Sequence, residues 1–103
     1  MRFLVISTPT FPAPLEELPG MLAAERQWYD RNREYLEAYA WFADSGGGFG
    51  LVDVPDADTL SRINKEHPFA YFAEIQIRAV VDADVAVQQL RELLEQPGIA
   101  VPT

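Results

Sequence analysis

The stretch His67-Pro-Phe-Ala-Tyr-Phe-Ala-Glu-Ile-Gln-Ile-Arg78 decides the fold, because its second half alternates between two kinds of side chain. The alternation runs without a break over residues 72–81, and period-two alternation with β-branched residues is typical of a strand. One side is apolar and the other mixes aromatic, acidic, amide and basic groups. We expect helices to pack on the apolar side, whereas the mixed side either faces water or lines a cavity. The apolar side carries Ala73, Ile75, Ile77, Ala79 and Val81; the mixed side carries Phe72, Glu74, Gln76, Arg78 and Val80.

The composition excludes several classes of function. With no cysteine and one histidine, His67, the chain has neither thiolate chemistry nor a metal site built from several histidines. Its net charge of −8 argues against nucleic-acid binding, since such a protein must neutralise phosphates. No apolar run approaches the roughly 20 residues that span a bilayer, and the N-terminal residues are typical of a strand, not of a signal peptide. We therefore expect one cytoplasmic domain over residues 1–103, with no nucleic-acid or membrane partner.

Hydrophobic periodicity and chain-breaking residues predict the other elements. Residues 2–7 form an apolar strand, and a stripe at 3-4-7 spacing predicts a helix from Pro19 to about residue 33. Residues 36–43 and 49–54 are strands joined by the glycine-rich segment 44–48, which we interpret as a hairpin turn because glycine takes positive φ at no cost. A second helix begins near Asp56 or Asp58 and stops at His67, because the following proline disfavours helical geometry there. Asp82 or Asp84 caps a third helix, followed by a tail at residues 99–103.

The order of elements is βαββαβ with an added C-terminal helix, which predicts a ferredoxin-like α+β fold with helices on one face of the sheet. The small residues Ala38 and Ala40 suit close helix approach, so we expect their face to lie under the helices. The opposite face then carries more large aromatic surface than a monomer normally exposes. We therefore expect a homodimer, or a higher oligomer built from it, in which two such faces enclose a barrel. The residues placed on this face are Tyr35, Glu37, Tyr39, Trp41, Phe72, Glu74, Gln76 and Arg78.

At this level the chain resembles the muconolactone isomerase-like family of dimeric α+β barrels. The resemblance extends from Met1 to about Val80 and is best over residues 35–77, through the hairpin, Phe49-Gly-Leu-Val-Asp-Val54 and Glu74-Ile75. His67-Pro68-Phe69 is similar to the Asp-Pro-Phe element of the related YciI-like barrels, with His in place of Asp. The resemblance implies a small enzyme with its pocket inside the barrel and with no metal or organic cofactor.

The mixed face supplies candidate catalytic groups. A carboxylate in an aromatic cavity is desolvated, which raises its pKa and suits Glu74 or Glu37 to proton transfer. His67 titrates near neutral pH and is a candidate partner acid or base, while Tyr39 is a candidate hydrogen-bond donor to a developing oxyanion. The alternatives are structural: Glu74 pairs with Arg78, and His67 caps a helix end. The candidate substrate-binding residues are Tyr35, Trp41, Phe72, Gln76 and Arg78.

These residues favour a cofactor-independent isomerase or cyclase that acts by acid-base chemistry. Its substrate is expected to be a small, unsaturated or polyketide-derived carbonyl compound. Two alternatives stay open at this point: a cofactor-free monooxygenase and a non-catalytic dimeric ligand-binding protein. A cavity that contains the candidate carboxylates favours catalysis, whereas a barrel filled by side chains argues against it.

Overall fold

The computed structural model describes residues 1–98, and within them it has the predicted four strands and three α-helices. The predicted tail at residues 99–103 lies outside the described part. No helix within residues 1–98 is both long enough and apolar enough to cross a membrane. The strands are β1 (Arg2–Pro9), β2 (Leu36–Trp41), β3 (Gly48–Asp53) and β4 (Ala73–Val80); the helices are α1 (Leu18–Asn32), α2 (Ala57–Glu66) and α3 (Ala83–Leu94).

The four strands form one antiparallel sheet in the order β2-β3-β1-β4, which is the ferredoxin-like arrangement. Residues directly opposite each other in an antiparallel pair share a face. Val5 is paired with Gly50 on β3 and with Ile77 on β4, and it packs against the core. Ile77 and its alternate neighbours on β4 therefore face the helices, and the predicted faces are confirmed for residues 73–80. Phe72 was predicted on the uncovered face, but it precedes β4 and lines a groove beside α1 instead.

The core lies between the sheet and helices α1 and α2. Trp28 of α1 is 4% exposed and donates a hydrogen bond from Nε1 to the carbonyl of Ile63 on α2, at 2.9 Å. This bond satisfies the only polar group of a large buried ring and ties the two helices together. By contrast, Leu22 in the first half of α1 is 49% exposed, because it lies at the rim of a surface groove. The buried core residues are Trp28, Val52, Val54, Leu60 and Ile63.

Strand β2 contains a β-bulge that the sequence pattern does not reveal. Leu36 is paired with Val52 and Ala38 with Leu51, so Glu37 has no partner of its own on β3. The extra residue breaks the alternation, so that residues on the two sides of the bulge no longer follow one period.

The bulge overturns the predicted faces of β2. Tyr39 lies on the helix-covered face, where its ring is 5.6 Å from those of Trp28 and Tyr29. Trp41 follows on the same face and donates a hydrogen bond to the Tyr39 hydroxyl. Tyr35 also packs against the core, in the turn before β2. The placement of these three aromatic residues on the uncovered face was therefore wrong.

The predicted ends of α2 are confirmed. The Asp56 carboxylate accepts hydrogen bonds from the backbone N–H of Thr59 at 2.8 Å and from its hydroxyl at 2.6 Å, as an N-cap does. These bonds lower the pKa of Asp56. At the other end, His67 has φ −69° and ψ 124°, the extended geometry that a following proline imposes.

The predicted glycine-rich hairpin turn is also confirmed. The reason for its glycines differs from the predicted one, which was positive φ. Within residues 1–98 the only glycine with positive φ is Gly98. Gly47 and Gly48 are needed because the chain packs too closely for a side chain. A Cβ on Gly47 would lie 2.3 Å from the carbonyl oxygen of Ser7, and one on Gly48 would lie 2.4 Å from that of Ala40.

The uncovered face of the sheet has an apolar centre and a charged end. Its centre is formed by half-buried side chains of β1 and β3: Leu4, Ile6, Phe49 and Leu51. At its end, Arg2 donates three hydrogen bonds to the bulged Glu37 carboxylate, at 2.8 to 3.2 Å, and also binds Asp82. Helix α3 follows Asp82, and each of its residues is exposed.

Candidate functional site

A cavity of about 70 Å³ lies between the sheet and the helices, at the end of β2. It adjoins a surface groove of about 440 Å³, and the lining residues shared by the two are Ser7, Trp41, Gly46 and Phe69. Phe11, Leu22 and Phe72 form the outer part of this groove. The cavity and groove together are a mostly apolar, open-mouthed pocket with a few polar groups, which is the usual character of a small-molecule site.

Four side chains meet at the cavity in one hydrogen-bond cluster centred on Tyr39. The Tyr39 hydroxyl donates to Glu25 of α1, and its oxygen lies 3.3 Å from Nε2 of His67. The indole N–H of Trp41 donates to the same oxygen at 3.2 Å. Strand, helix and loop therefore each contribute to one polar centre beside an aromatic wall.

The hydrogen bonds assign the tautomer of His67. Its Nδ1 accepts a hydrogen bond from the backbone N–H of Phe69 at 3.2 Å, so Nδ1 carries no proton. In a neutral imidazole the proton is then on Nε2, which donates to Tyr39. The Tyr39 oxygen consequently accepts from two N–H groups, those of His67 and Trp41, while its own proton points to Glu25. Such an oxygen is well placed to hold negative charge.

Burial keeps both titratable rings neutral around pH 7. It raises the pKa of Tyr39, and the hydrogen bond to Glu25 adds to that rise, so the phenol keeps its proton. Burial lowers the pKa of His67, although the nearby charge of Glu25 opposes this in part. A molecule that enters the cavity therefore meets a neutral phenol and a neutral imidazole, held in place by hydrogen bonds within the cluster.

Local sequence features hold the cluster in place. Glu25 lies one helical turn before Trp28 and Tyr29, so the rings that pack on Tyr39 also bring the carboxylate to its hydroxyl. Pro68 ends α2 so that His67 leaves the helix in extended geometry, and the edge of its ring packs on Trp28 with centroids 4.5 Å apart.

The structure brings together three of the predicted site residues and separates the others. His67, Tyr39 and Trp41 all line the cavity. Phe72 lies in the adjoining groove, in edge contact with Phe11 at 5.9 Å. The remaining polar candidates are on the uncovered face and none of them lines this cavity: Glu37, Glu74, Gln76 and Arg78.

The uncovered-face candidates have ordinary surface surroundings in the single chain. Glu37 is paired with Arg2, with both side chains partly exposed. Glu74 is exposed on β4, opposite Thr8. A catalytic role for Glu74 and Glu37, inside a barrel formed by two chains, stays a prediction.

Two residues of the site were not identified from the sequence. Glu25 was not singled out, although its position one turn before two large aromatic residues was a usable signal. Phe69 lies against both Trp41 and His67, with ring centroids at 5.8 and 6.0 Å. Within residues 1–98 no group of three or more histidine or acidic side chains is arranged to hold a metal ion.

Comparison with known proteins identifies the fold. No protein-family model and no curated protein matches the sequence. Among solved structures, the chain is similar to a muconolactone isomerase, with a TM-score of 0.68 and 17% identity over 100% of this chain and 98% of the other. It is also similar to 5-chloro-2-hydroxyhydroquinone dehydrochlorinase from Burkholderia phenoliruptrix AC1100 in complex with 2,5-dihydroxybenzoquinone, with a TM-score of 0.68 and 14% identity over 82% of this chain and 98% of the other. The fold is therefore muconolactone isomerase-like, whereas the similarity to YciI-like barrels stays a prediction.

Proposed function

We propose that this protein is a cofactor-independent isomerase or cyclase that acts on a small unsaturated carbonyl compound bound in the helix-side cavity. The observation that carries the proposal is the cluster on Tyr39, in which two N–H donors and one carboxylate converge on a phenol at the wall of an aromatic cavity. Titratable groups with shifted pKa values that meet beside a cavity are candidates for a functional site.

The cluster suits the movement of a proton between two carbons of one substrate. The substrate first takes the place of the Trp41 N–H at the Tyr39 oxygen, which frees one lone pair. As a proton leaves a carbon adjacent to the carbonyl group, this lone pair takes it and the Tyr39 hydroxyl proton passes to Glu25. The electron pair of the broken C–H bond moves into the enolate. Reversal at a second carbon returns the proton and shifts the double bond, so the substrate is isomerised and the protein is unchanged.

The N–H group of His67 lowers the barrier for this transfer. Tyr39 is a weak base by itself, because burial raises its pKa and keeps it protonated. The His67 N–H stays on its oxygen and stabilises the negative charge that develops there while the proton passes to Glu25. Positioned acid-base groups of this kind typically contribute about 10²- to 10⁴-fold in rate.

The shape and lining of the site favour a small, flat, oxygenated substrate. The aromatic wall of Trp41 and Phe69 accepts an unsaturated ring by stacking, and few of the lining side chains are polar. Structural neighbours have names that fit this class: one is a muconolactone isomerase and another is in complex with 2,5-dihydroxybenzoquinone. We extend the proposal to polyketide-derived carbonyl compounds of similar size.

Solvent-deuterium exchange tests the proposed proton transfer. With muconolactone as the probe in D₂O, we expect wild-type protein to accelerate incorporation of deuterium at carbon, as measured by NMR. Tyr39→Phe should lower the exchange rate by about a hundredfold or more. Tyr29→Phe is the matched control, because the Tyr29 ring packs on Tyr39 but its hydroxyl is outside the cluster. An unchanged exchange rate in Tyr39→Phe would contradict the proposal, as would a wild-type protein that neither exchanges muconolactone nor binds 2,5-dihydroxybenzoquinone in calorimetry.

A further inference from the structure

The helix-side cavity is too small to hold a whole substrate by itself. Its volume is about 70 Å³, whereas an apolar cavity that encloses benzene measures about 150 Å³. The adjoining groove has a volume of about 440 Å³, and Trp41 and Phe69 line both spaces. A substrate whose reacting carbon reaches Tyr39 must therefore extend into the groove, so the lining of the groove selects the rest of the molecule.

The groove offers an apolar lining and no positive charge. Within residues 1–98, Ser7 and Trp41 are the only groove-lining residues with a polar side-chain atom, and the indole N–H of Trp41 is bonded to Tyr39. In the same part of the chain, no lysine or arginine lines the cavity or the groove. A substrate carboxylate would lose its water without gaining a cation, and the charge of Glu25 would repel it.

The walls of the groove are fixed by hydrogen bonds between the loop after β1 and the turn before β4. Thr10 donates to the carbonyl of Phe72 from its backbone N–H at 2.9 Å and from its hydroxyl at 3.3 Å. Phe11 then contacts the edge of the Phe72 ring, and the proline ring of Pro12 fixes the backbone φ of the next residue in the loop. A groove that is formed before binding needs little ordering when a ligand enters it.

Helix α1 connects the groove with the polar cluster. Leu18 and Leu22 line the groove, and Glu25 follows Leu22 by three residues, so the three side chains share one face of the helix. From Leu18 to Glu25 the helix rises about 10 Å. The site is therefore elongated, with an apolar end along the first turns of α1 and a polar end where Glu25 meets Tyr39.

We propose that the substrate is an uncharged, unsaturated carbonyl compound with an apolar substituent, which lies in the groove while the carbonyl end is at Tyr39. This inference rests on the isomerase or cyclase function proposed above and narrows its substrate class. Each methylene group buried in the groove is worth roughly fourfold in affinity. Muconolactone has a side chain that ends in a carboxylate, so we expect it to react more slowly than a neutral analogue.

A matched pair of lactones tests the substrate class. Muconolactone is compared with the same unsaturated lactone that carries a pentyl group in place of the carboxymethyl group. Deuterium incorporation at carbon in D₂O is measured by NMR, and each kcat/KM is divided by the exchange rate of that lactone in buffer alone, so that differences in C–H acidity cancel. We expect the normalised value to be at least tenfold higher for the pentyl lactone.

The two proposals fail in different ways in this experiment. If muconolactone exchanges in wild type but not in Tyr39→Phe, and the pentyl lactone is no faster, the groove does not hold an apolar substituent and the proposed function stands. If the protein accelerates exchange of neither lactone, both proposals are wrong.

A charge placed in the groove wall gives a second test. Phe11 is 57% exposed, so Phe11→Arg should fold, and its guanidinium would favour the carboxylate over the pentyl group. We expect the ratio of pentyl lactone to muconolactone kcat/KM to fall at least tenfold; any general loss of activity cancels in this ratio. Leu15→Arg adds the same charge at an exposed side chain outside the groove and should leave the ratio within about twofold. An unchanged ratio in Phe11→Arg would overturn the assignment of the groove.

Discussion

Substitution of Glu25 or Glu74 distinguishes between two locations for the active site, the helix-side cavity and a barrel between two chains. Glu25 is in the helix-side cluster, and Glu74 is on the uncovered face. We expect Glu25→Gln to lower the exchange rate with muconolactone by about a hundredfold, because an amide cannot take the proton from Tyr39. Glu74→Gln and Glu37→Gln should stay within a few-fold of wild type. The opposite pattern, with the large loss in Glu74→Gln, would place the site in a barrel between two chains.

His67 gives stability a pH dependence with a definite sign. Burial lowers its pKa in the folded state, so between that value and about 6.5 the unfolded chain binds more protons than the folded one. The free energy of unfolding should therefore rise with pH through this window and level off above pH 7. His67→Gln should lose this part of the slope, in urea unfolding measured at pH 5, 6, 7 and 8. His67 is the only histidine in the chain. If the free energy of unfolding had the same pH dependence in wild type and in His67→Gln, burial of His67 would not be the cause of that dependence.

At the scale of elements, the hairpin between β2 and β3 depends on glycine for space. Gly48→Ala would place a Cβ 2.4 Å from the Ala40 carbonyl oxygen, so the two strands must separate. We expect a clear loss of stability in thermal unfolding and a loosened cavity, because Gly48 also lines that wall. Gly20→Ala is the control: its Cβ meets nothing within 4 Å, and in a helix the change should stabilise by up to about 1 kcal/mol. Equal effects of the two substitutions would rule out the steric explanation.

The sequence predicted each element but only part of the site, and β2 shows why. Proline and aspartate mark the ends of α2 by local chemistry that does not depend on the rest of the fold, and the unbroken period of β4 gave its faces correctly. A bulge is decided by pairing with β3, so no period within residues 36–41 reveals it. Tyr39 was therefore identified as a candidate residue while its face was wrong. Glu25 was missed because its partner, Tyr39, lies 14 residues away in sequence.

At the scale of the whole molecule, we expect the uncovered sheet face to pack against a second copy of the chain. An apolar centre with a charged end is the usual anatomy of an interface. We expect Leu51→Glu to raise the dissociation constant of the homodimer by tenfold or more in sedimentation equilibrium, because it buries an unpaired charge. Leu15→Glu, at a side chain that is 80% exposed and off this face, should have no effect. If Leu51→Glu leaves the dimer unchanged, the sheet faces do not meet.

Contact between sheet faces would lie across the sheet from Tyr39, so each chain would keep its own cavity.

The bulge at Glu37 also affects how this chain is compared with its relatives. Residues 36 and 39 both face the helices, so the strand has one residue more than a regular β2 needs to join them. A relative without the bulge has its equivalent of Tyr39 two positions after its equivalent of Leu36. A gapless alignment would then match that tyrosine to Ala38 and would exchange inner for outer residues along the rest of β2. A single gap opposite residue 37 restores the correspondence, and only then can substitutions at the cavity be told from substitutions at the interface.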